Sequence, residues 1–592
     1  MEGRRQLGSA RRSAIERELI PTRLRRRTLC AAVLLSSSLH LCAQSATPPA
    51  PSEKQLQQLA DSGQWSEIVG ELEPLSPHTA AMDYYLGIAL AQLGRLDESK
   101  TAFEAGRRLA PSDSRFPVEL AGIAFKQKNY PRTIRLLRIA HRLKPGDSYA
   151  NDFLGTTFFV EGNLEAALKY WNRVGKPQIA SVRADPSPRL SPTLLDHAFA
   201  FSPAAQLTLP QLLDSESRVR GLGIFPHFHF NLNARPDGNF DLSFRNEEEN
   251  GFGDSKLEAL VLFFQGIPFQ AVNPSYFNLR REAINFTSIF RWDAQKRRVA
   301  ADVSGPFERS AKNRWRMIVD LRNENWAIRS GFTGPAPVLA SFNLRDERVG
   351  FNLASYVSDR FGWTVGAEGS HRAFRSVEAG TTPASGAYLT PQLLATGYQL
   401  KQYAQVTGNL WRIPERRFVV TAAATSDAGR LWSQPAESFE KLAGSLGWHW
   451  FPQVKGDDYE TMQQLRAGRT FGQAPFDELF ILGLERDNDL PLRAHIGTRD
   501  GRKGSAPLGR DYLLENWETN KNIYRNGIFK VQLGPFFDAG KIADPGTALG
   551  SHEWLFDIGA QAKLRVLGVG LVFSYGKDLR TGNNAFYLTS FQ

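Results

Sequence analysis

From Phe529 to its end, the chain alternates apolar and polar side chains with a period of two, which restricts this region to β-strands. Phe529, Val531, Leu533, Pro535 and Phe537 share one face, opposite Lys530, Gln532, Gly534, Phe536 and Asp538. The pattern returns with Phe556, Ile558, Ala560, Ala562, Leu564 and Val566 against Asp557, Gly559, Gln561, Lys563 and Arg565. Val569, Leu571, Phe573 and Tyr575 form a third run, and the chain stops inside a fourth, Phe586 to Phe591. An apolar face opposite a charged, glycine-rich one suits a strand with lipid on one side and a polar lumen on the other. A soluble sandwich shares the period, so the remaining sequence has to decide between them.

At 592 residues the chain has material for several domains, and no run reaches the ~20 apolar residues that a membrane helix requires. Any membrane crossing is therefore made by strands. The N-terminus, residues 1–45, reads as a secretory signal: Arg23, Arg25, Arg26 and Arg27 precede the apolar stretch Leu29 to Leu41, and Ala43, Ser45 and Ala46 suit cleavage. Both cysteines, Cys30 and Cys42, fall in this segment, so the mature chain is expected to be free of thiols, as an oxidising compartment favours. Leu41 is too large to precede a lipidated cysteine. The first 28 residues carry nine arginines against three glutamates, which accounts for most of the net charge of +11. The mature protein is only mildly basic, and no nucleic-acid partner is implied.

Residues 50–177 hold an internal repeat. Leu86-Gly87, Leu120-Ala121 and Leu154-Gly155 are spaced 34 residues apart, as are Phe103, Leu137 and Trp171, and Pro77, Pro111 and Pro145. This period predicts tetratricopeptide helix hairpins stacked as an α-helical solenoid: small residues let the helices approach, the aromatic packs on the next hairpin, and proline ends the second helix. Residues 53 to 77, with Trp65, read as a degenerate first unit. A concave solenoid face predicts a protein partner in the periplasm.

Residues 178–247 change texture. Ile179 to Val182 reads as a strand and Thr193 to Phe201 as a short helix. A second helix starts at Thr208, with Gln211 completing a capping box, and ends at Gly221 and Gly223. Phe228, Phe230 and Leu232 then alternate, Pro236-Asp237-Gly238 turns the chain, and Phe240, Leu242 and Phe244 alternate back. The string LLDHAFAFSPAAQLTLPQLLDSESRVRGLGIF followed by a hairpin resembles a POTRA domain, the small α+β periplasmic module that precedes certain outer-membrane barrels.

Residues 250–592 read as an antiparallel transmembrane β-barrel of about sixteen strands. Outward sets include Phe286, Phe290 and Trp292; Met317, Val319 and Leu321; Val349 and Phe351; and Leu442 and Leu446. Arg314, Arg316, Asp320 and Arg322 fall on the inward face. Leu257 to Phe264 is apolar without clean alternation, and suits either a further strand or a helix at the membrane surface.

The segment LPLRAHIGTRDGRKGSAPLGRDYLLENWETNKNIYRNGIFKVQLGPFFDAG resembles the sixth extracellular loop and following strands of the BamA/TamA (bacterial surface antigen) barrel superfamily. There, an aliphatic-Arg-Gly-aromatic motif folds into the lumen and its arginine pairs with acids on the next strands. The resemblance places Leu492, Arg493, Ala494 and His495 at the motif. It pairs Arg493 as a lumen latch with Asp538 and with Glu518, for which Glu515 competes. Ala494 stands where the glycine is expected and His495 where the aromatic is, which bears on the tight turn of the loop tip. A guanidinium drawn into a narrow lumen needs carboxylates to offset its desolvation, and a two-pronged pair also fixes its position. Tyr587 and Phe591 lie in the expected closing strand.

No phosphate loop, nucleophile elbow or cysteine-based site is present, and His227 and His229 lack a third ligand at metal spacing. The expectation is no enzyme, no cofactor and no metal. The resemblance implies a bacterial outer-membrane factor that inserts or translocates client polypeptides, with membrane lipid, unfolded or partly folded clients and a periplasmic protein as partners. Two alternatives stay open: a polysaccharide export channel with a tetratricopeptide scaffold, and a barrel that serves as a surface anchor.

Overall fold

The computed structural model describes residues 51–592, apart from 254–259, 261–262, 264–265, 268–269, 380–388, 434–435, 454–455, 527–528, 545–548, 567–568 and 592. The expected signal segment and most of Leu257–Phe264 lie outside the described residues. The chain divides into two compact units: residues to Ala180 together with Leu232–Asp241, and Ser181–Asn231 together with Leu242–Gln592. The segment 178–247 is thus shared between the units and does not form a third.

The first unit holds four antiparallel helix pairs: Glu53–Asp61 with Trp65–Leu72, Ala80–Gln92 with Leu96–Leu109, Arg115–Lys126 with Tyr130–Leu143, and Ser148–Val160 with Leu164–Trp171. Side-chain oxygens of Ser52, Thr79, Asn129, Asp147 and Asn163 cap the N-termini of five of these helices. The 34-residue spacing has a steric basis, but the aromatic packs on the small residue of its own hairpin and not on the next hairpin as expected, because the small residue leaves room for it there. A Cβ placed on Gly87 falls 2.5 Å from the Phe103 ring, and one on Gly155 falls 2.4 Å from Trp171. At the equivalent place in the middle pair, Ala121 and Leu137 are both fully buried. Trp171 also packs on Phe240, with ring centroids 5.3 Å apart, so the hairpin tip Leu232–Asp241 belongs to this unit.

In the second unit, β1 (Ile179–Asp185), β2 (His227–Ala234) and β3 (Phe240–Glu247) form a sheet of order β1-β3-β2, part of which the first unit shares. Helices Pro192–Ala198 and Leu209–Leu222 lie between β1 and β2 in sequence. Thr208 and Gln211 cap the longer helix reciprocally, and Gly223 ends it in the left-handed region at φ 65°. Gly221 has a different task from the one expected. It gives the helix a close approach to the barrel, where a Cβ falls 2.6 Å from the Tyr356 ring. Arg314 Nη1 donates to the carbonyl of Leu222 at 2.8 Å, and Asn285 Nδ2 donates to the same carbonyl at 3.0 Å. Two wall side chains thereby satisfy the C-terminal end of this helix.

The barrel strands are β4 (Ala271–Val272), β5 (Ser275–Leu279), β6 (Ile284–Trp292), β7 (Lys296–Phe307), β8 (Ser310–Arg329), β9 (Val338–Ser358), β10 (Phe361–Ala379), β11 (Gly397–Ile413), β12 (Phe418–Trp432), β13 (Glu437–Trp450) and β14 (Tyr459–Gly472). The connection that follows carries β15 (Phe480–Ile481), β16 (Thr498–Arg499), β17 (Arg502–Lys503) and β18 (Leu508–Gly509). The wall resumes with β19 (Asp511–Arg525), β20 (Phe529–Ala543), β21 (Leu555–Val566), β22 (Val569–Asp578) and β23 (Asn584–Phe591). The ring closes with β23 beside β4. Among the described residues, eighteen strand segments enter the ring. Because β4, β16 and β17 have two residues each, fifteen are wall-length, against about sixteen expected.

Neighbouring wall strands pair antiparallel, and the register keeps one parity outside. Phe290, Met317, Phe351 and Leu446 are 43–50 % exposed, which forms an apolar outer belt. On the inner parity, Arg372, Asp538 and Asp557 are completely buried. The strands at the closure are short: β4 has two residues, followed along the same partner strand β6 by β5 with five, and β23 has eight, against 21 in β9.

Candidate functional site

The β14–β19 connection, residues 473–510, folds back into the barrel. Its descent is set by apolar packing. Leu482 and Leu492 are fully buried with Leu514, Ile542 and Leu555 on the wall, which fixes the backbone just before Arg493. The Arg493 side chain is 8 % exposed, and every arm of its guanidinium is engaged. Nε donates to Asp538 Oδ2 at 2.9 Å, Nη2 to Asp538 Oδ1 at 2.7 Å and Nη1 to Glu518 Oε2 at 2.8 Å. Nη1 also donates to Gln561 Oε1 at 3.0 Å, and the backbone N–H of Arg493 donates to Asp538 Oδ2 at 3.0 Å. The guanidinium carbon lies 3.9 Å from the centroid of the Phe536 ring. Asn516 Nδ2 adds a donor to Asp538 at 2.7 Å, and Lys563 pairs with Glu518. A buried cation is tolerable in this setting because two carboxylates, an amide oxygen and an aromatic face replace its water.

The structure therefore brings together Arg493, Asp538 and Glu518, which sit on the loop, β20 and β19. Glu515 does not join them. It has the strand parity of the exposed Leu513, opposite to that of Glu518, and accepts instead from Gln463. The loop tip turns without glycine: the N–H of His495 donates to the carbonyl of Leu492 at 3.0 Å, and Ala494 is not among the left-handed residues. Room for the tip is made on the wall, where a Cβ on Gly576 falls 2.7 Å from the Arg493 carbonyl oxygen. Asp557 accepts from the N–H of Ala494 at 2.7 Å and lies 3.0 Å from His495 Nδ1. Tyr587 and Phe591 pair across β22 with Ser574 and Gly570.

Two further anchors of the loop escape a reading of the sequence. In its first turn, Asp477 lies 2.7 Å from Arg372 and 3.0 Å from Arg348, while Glu478 lies 3.1 Å from Lys401 and 3.4 Å from Lys441. Deeper along the loop, Asp487 pairs with Arg291 at 3.3 Å and with Arg298, and Lys503 pairs with Glu324 at 2.8 Å. Acids in a polar loop read as solvated, and the only available signal is the number of cations that strand parity places on the inner face of β6–β13. Above these ion pairs, Phe476 stands edge-on to Trp326 and Phe342, at centroid distances of 5.0 and 4.9 Å, and Leu389, Leu393, Leu479 and Leu508 complete an apolar core inside the ring.

Fold and site define a closed β-barrel whose own loop crosses the lumen, held by three groups of ion pairs on different parts of the wall. No known family model matches the chain, and no curated protein matches it in sequence. Similar solved structures include BamA from Haemophilus ducreyi lacking POTRA domains 1–3, at 11 % identity over 70 % of this chain and 84 % of that one, with a TM-score of 0.40. CdiB from Escherichia coli is 13 % identical over 70 % and 75 %, with a TM-score of 0.43. CdiB from Acinetobacter baumannii is 9 % identical over 80 % and 87 %, with a TM-score of 0.41. Likeness at this level carries no functional weight, which rests on the site itself.

Proposed function

We propose that the chain is a bacterial outer-membrane factor that inserts or translocates client polypeptides, with its helical repeats and POTRA-like segment in the periplasm. The outer apolar belt is suited to lipid, and the inner charged face is unsuited to it. The observation that carries the reading is the combination of an occupied lumen and a weak closure. The inward loop and its apolar core stand across the bore that a polysaccharide channel needs. Short strands, β4 and β23, flank the ring closure, so few ladder hydrogen bonds oppose opening at that seam. An opened edge offers a client strand main-chain pairing, and edge strand β2 of the small sheet offers the same on the periplasmic side. Arg493 acts as a latch that keeps the loop in place through this cycle, with no covalent chemistry, and the repeats hold a protein partner.

A reversible lock tests the reading. One cysteine is placed in Ala271–Val272 and one in Asn584–Phe591, in a mature chain that otherwise has none once residues 1–45 are removed. Oxidation should stop the appearance of folded clients in the outer membrane, and reduction should restore it. Unchanged client assembly with the seam fully crosslinked overturns the proposal, and polymer export from a locked barrel favours the channel.

A further inference from the structure

Three carboxylates stand in register on adjacent wall strands: Asp538 on β20 faces Asp557 on β21, which faces Asp578 on β22. All three are at most 1 % exposed. Like charges directly opposite one another in an antiparallel ladder repel, and burial strengthens the repulsion. Arg493 neutralises Asp538. Among the described residues, the ion pairs of Asp557 and Asp578 comprise His495 alone, so the row is short of positive charge. His495, Asp557 and Asp578 each point a ligand atom at a common space, and the three atoms lie within 4.8 Å of one another. Asp557 Oδ1 is buried with no hydrogen-bond partner, an orphaned acceptor on one of the three groups.

We propose that His495, Asp557 and Asp578 bind one divalent transition-metal cation of the zinc type, which ties the loop tip to β21 and β22. One imidazole and two carboxylates are ligands that zinc accepts, and bonds of about 2.0–2.2 Å require only a small inward movement of the three atoms. The mixed N/O set disfavours magnesium and calcium, which take all-oxygen shells. The surroundings are those of oriented ligands. Thr333 Oγ1 and Thr581 Oγ1 donate to Asp578 Oδ2 at 3.0 and 2.6 Å, and the N–H of Arg580 donates to Oδ1 at 3.0 Å. The N–H of Ala494 does the same for Asp557. A cavity of about 730 Å³ is lined by Thr333 and Ala494, which hydrogen-bond Asp578 and Asp557. Nothing along the chain announces the site, because its ligands at 495, 557 and 578 are distant in sequence and meet only when the loop folds inward.

The test uses the full mature chain in detergent, free of any polyhistidine tag and stripped with a chelator. Titration with Zn²⁺ should show one equivalent bound, and Co²⁺ should give visible absorption bands that Zn²⁺ abolishes. His495→Phe and Asp578→Asn should each weaken Zn²⁺ binding at least tenfold, while an unchanged heat-dependent gel shift shows that the barrel is folded. Magnesium at a large excess should not compete. Absence of a one-equivalent site and of the cobalt bands in the parent chain overturns the proposal and leaves the contact of His495 with Asp557 as the link between the loop tip and β21. Equal Zn²⁺ affinity in the parent and both folded variants also overturns it, because the ion then sits elsewhere.

Discussion

Arg493 is joined to Asp538 through its Nε, its Nη2 and its own backbone N–H, at 2.9, 2.7 and 3.0 Å, so one carboxylate fixes both the side chain and the backbone of the loop tip. An interaction of this form couples position to charge. Lysine supplies the charge without the fork, and asparagine at 538 supplies an oxygen without the charge. Removing either partner strands the other in a buried site, at a cost of about 3–5 kcal/mol. Arg493→Ala and Asp538→Ala are therefore expected to impair client assembly and heat resistance to similar degrees. The double variant should be little worse than either, and Arg493→Lys should rescue only in part. Assembly assays and unfolding temperatures of the four chains test this, and additive single effects would sink the latch.

The loop's first anchor makes a separate prediction. Arg372 is completely buried and lies 2.7 Å from Asp477. Arg372→Ala leaves Asp477 with Arg348 alone, so the short helix Phe476–Glu478 should loosen from the wall. Ion conductance through single barrels in planar bilayers should rise, and protease added from that side should cut in 473–490. A conductance unchanged from the parent shows that the apolar core around Phe476 suffices to hold the loop.

The reach of the sequence follows from the range of each interaction. Period-two alternation and the 34-residue spacing are local or repetitive, so the inward parity of Asp538 and the small-residue role of Gly87 are both readable along the chain, whereas the spacing alone does not say that Phe103 packs within its own hairpin. The pairing of Arg493 with Asp538 and Glu518 became readable through the resemblance of the loop motif. Glu515 and Glu518 were separable by strand parity, once Leu513 is taken as outward. The partners of Asp477 and Asp487 are long-range products of loop closure, with Arg372 and Arg291 more than a hundred residues away, and no local pattern encodes them. The position of the loop in the ring decides these contacts.

In the helical unit, Gly155 is, with Gly106, one of the two tightest glycine positions. A Cβ there meets the Trp171 ring at 2.4 Å, and the ring itself is 2 % exposed. Gly155→Leu should therefore force the helices Ser148–Val160 and Leu164–Trp171 apart, at a cost of about 1–3 kcal/mol or more. Far-UV circular dichroism of the full chain should show an earlier helical melting step, while the barrel's gel shift stays unchanged. Loss of both together indicates that the two units do not melt independently.

Glu119, on helix Arg115–Lys126 of the same unit, gives a pH dependence with a defined sign. Burial pushes its carboxyl up to about 7, against opposing effects of Lys126 and of the hydrogen bond with Tyr84. The folded state thus holds this proton more tightly than the unfolded chain. Its contribution is complete below the ordinary glutamate range and is lost as pH rises through about 7. The helical melting step should fall between about pH 5.5 and pH 8, and Glu119→Gln should remove that slope. A helical step that rises over this interval contradicts the assignment.

The closing strand gives the last prediction. β23 pairs with β22 from Lys577↔Asn584 to Gly570↔Phe591, and on its other side it completes the ring beside β4. Deleting Tyr587–Gln592 removes more than half of that ladder and leaves β22 as a long unpaired edge. In lipid each unpaired backbone group costs several kcal/mol, so an open edge of this length is not tolerated. The truncated chain should fail to insert stably and should be degraded or found aggregated before the membrane. Tyr587→Ala keeps the ladder and should insert, with at most a lower unfolding temperature. The contrast separates a backbone requirement from a side-chain one, and heat-resistant insertion of the truncated chain shows that β23 is dispensable for closure.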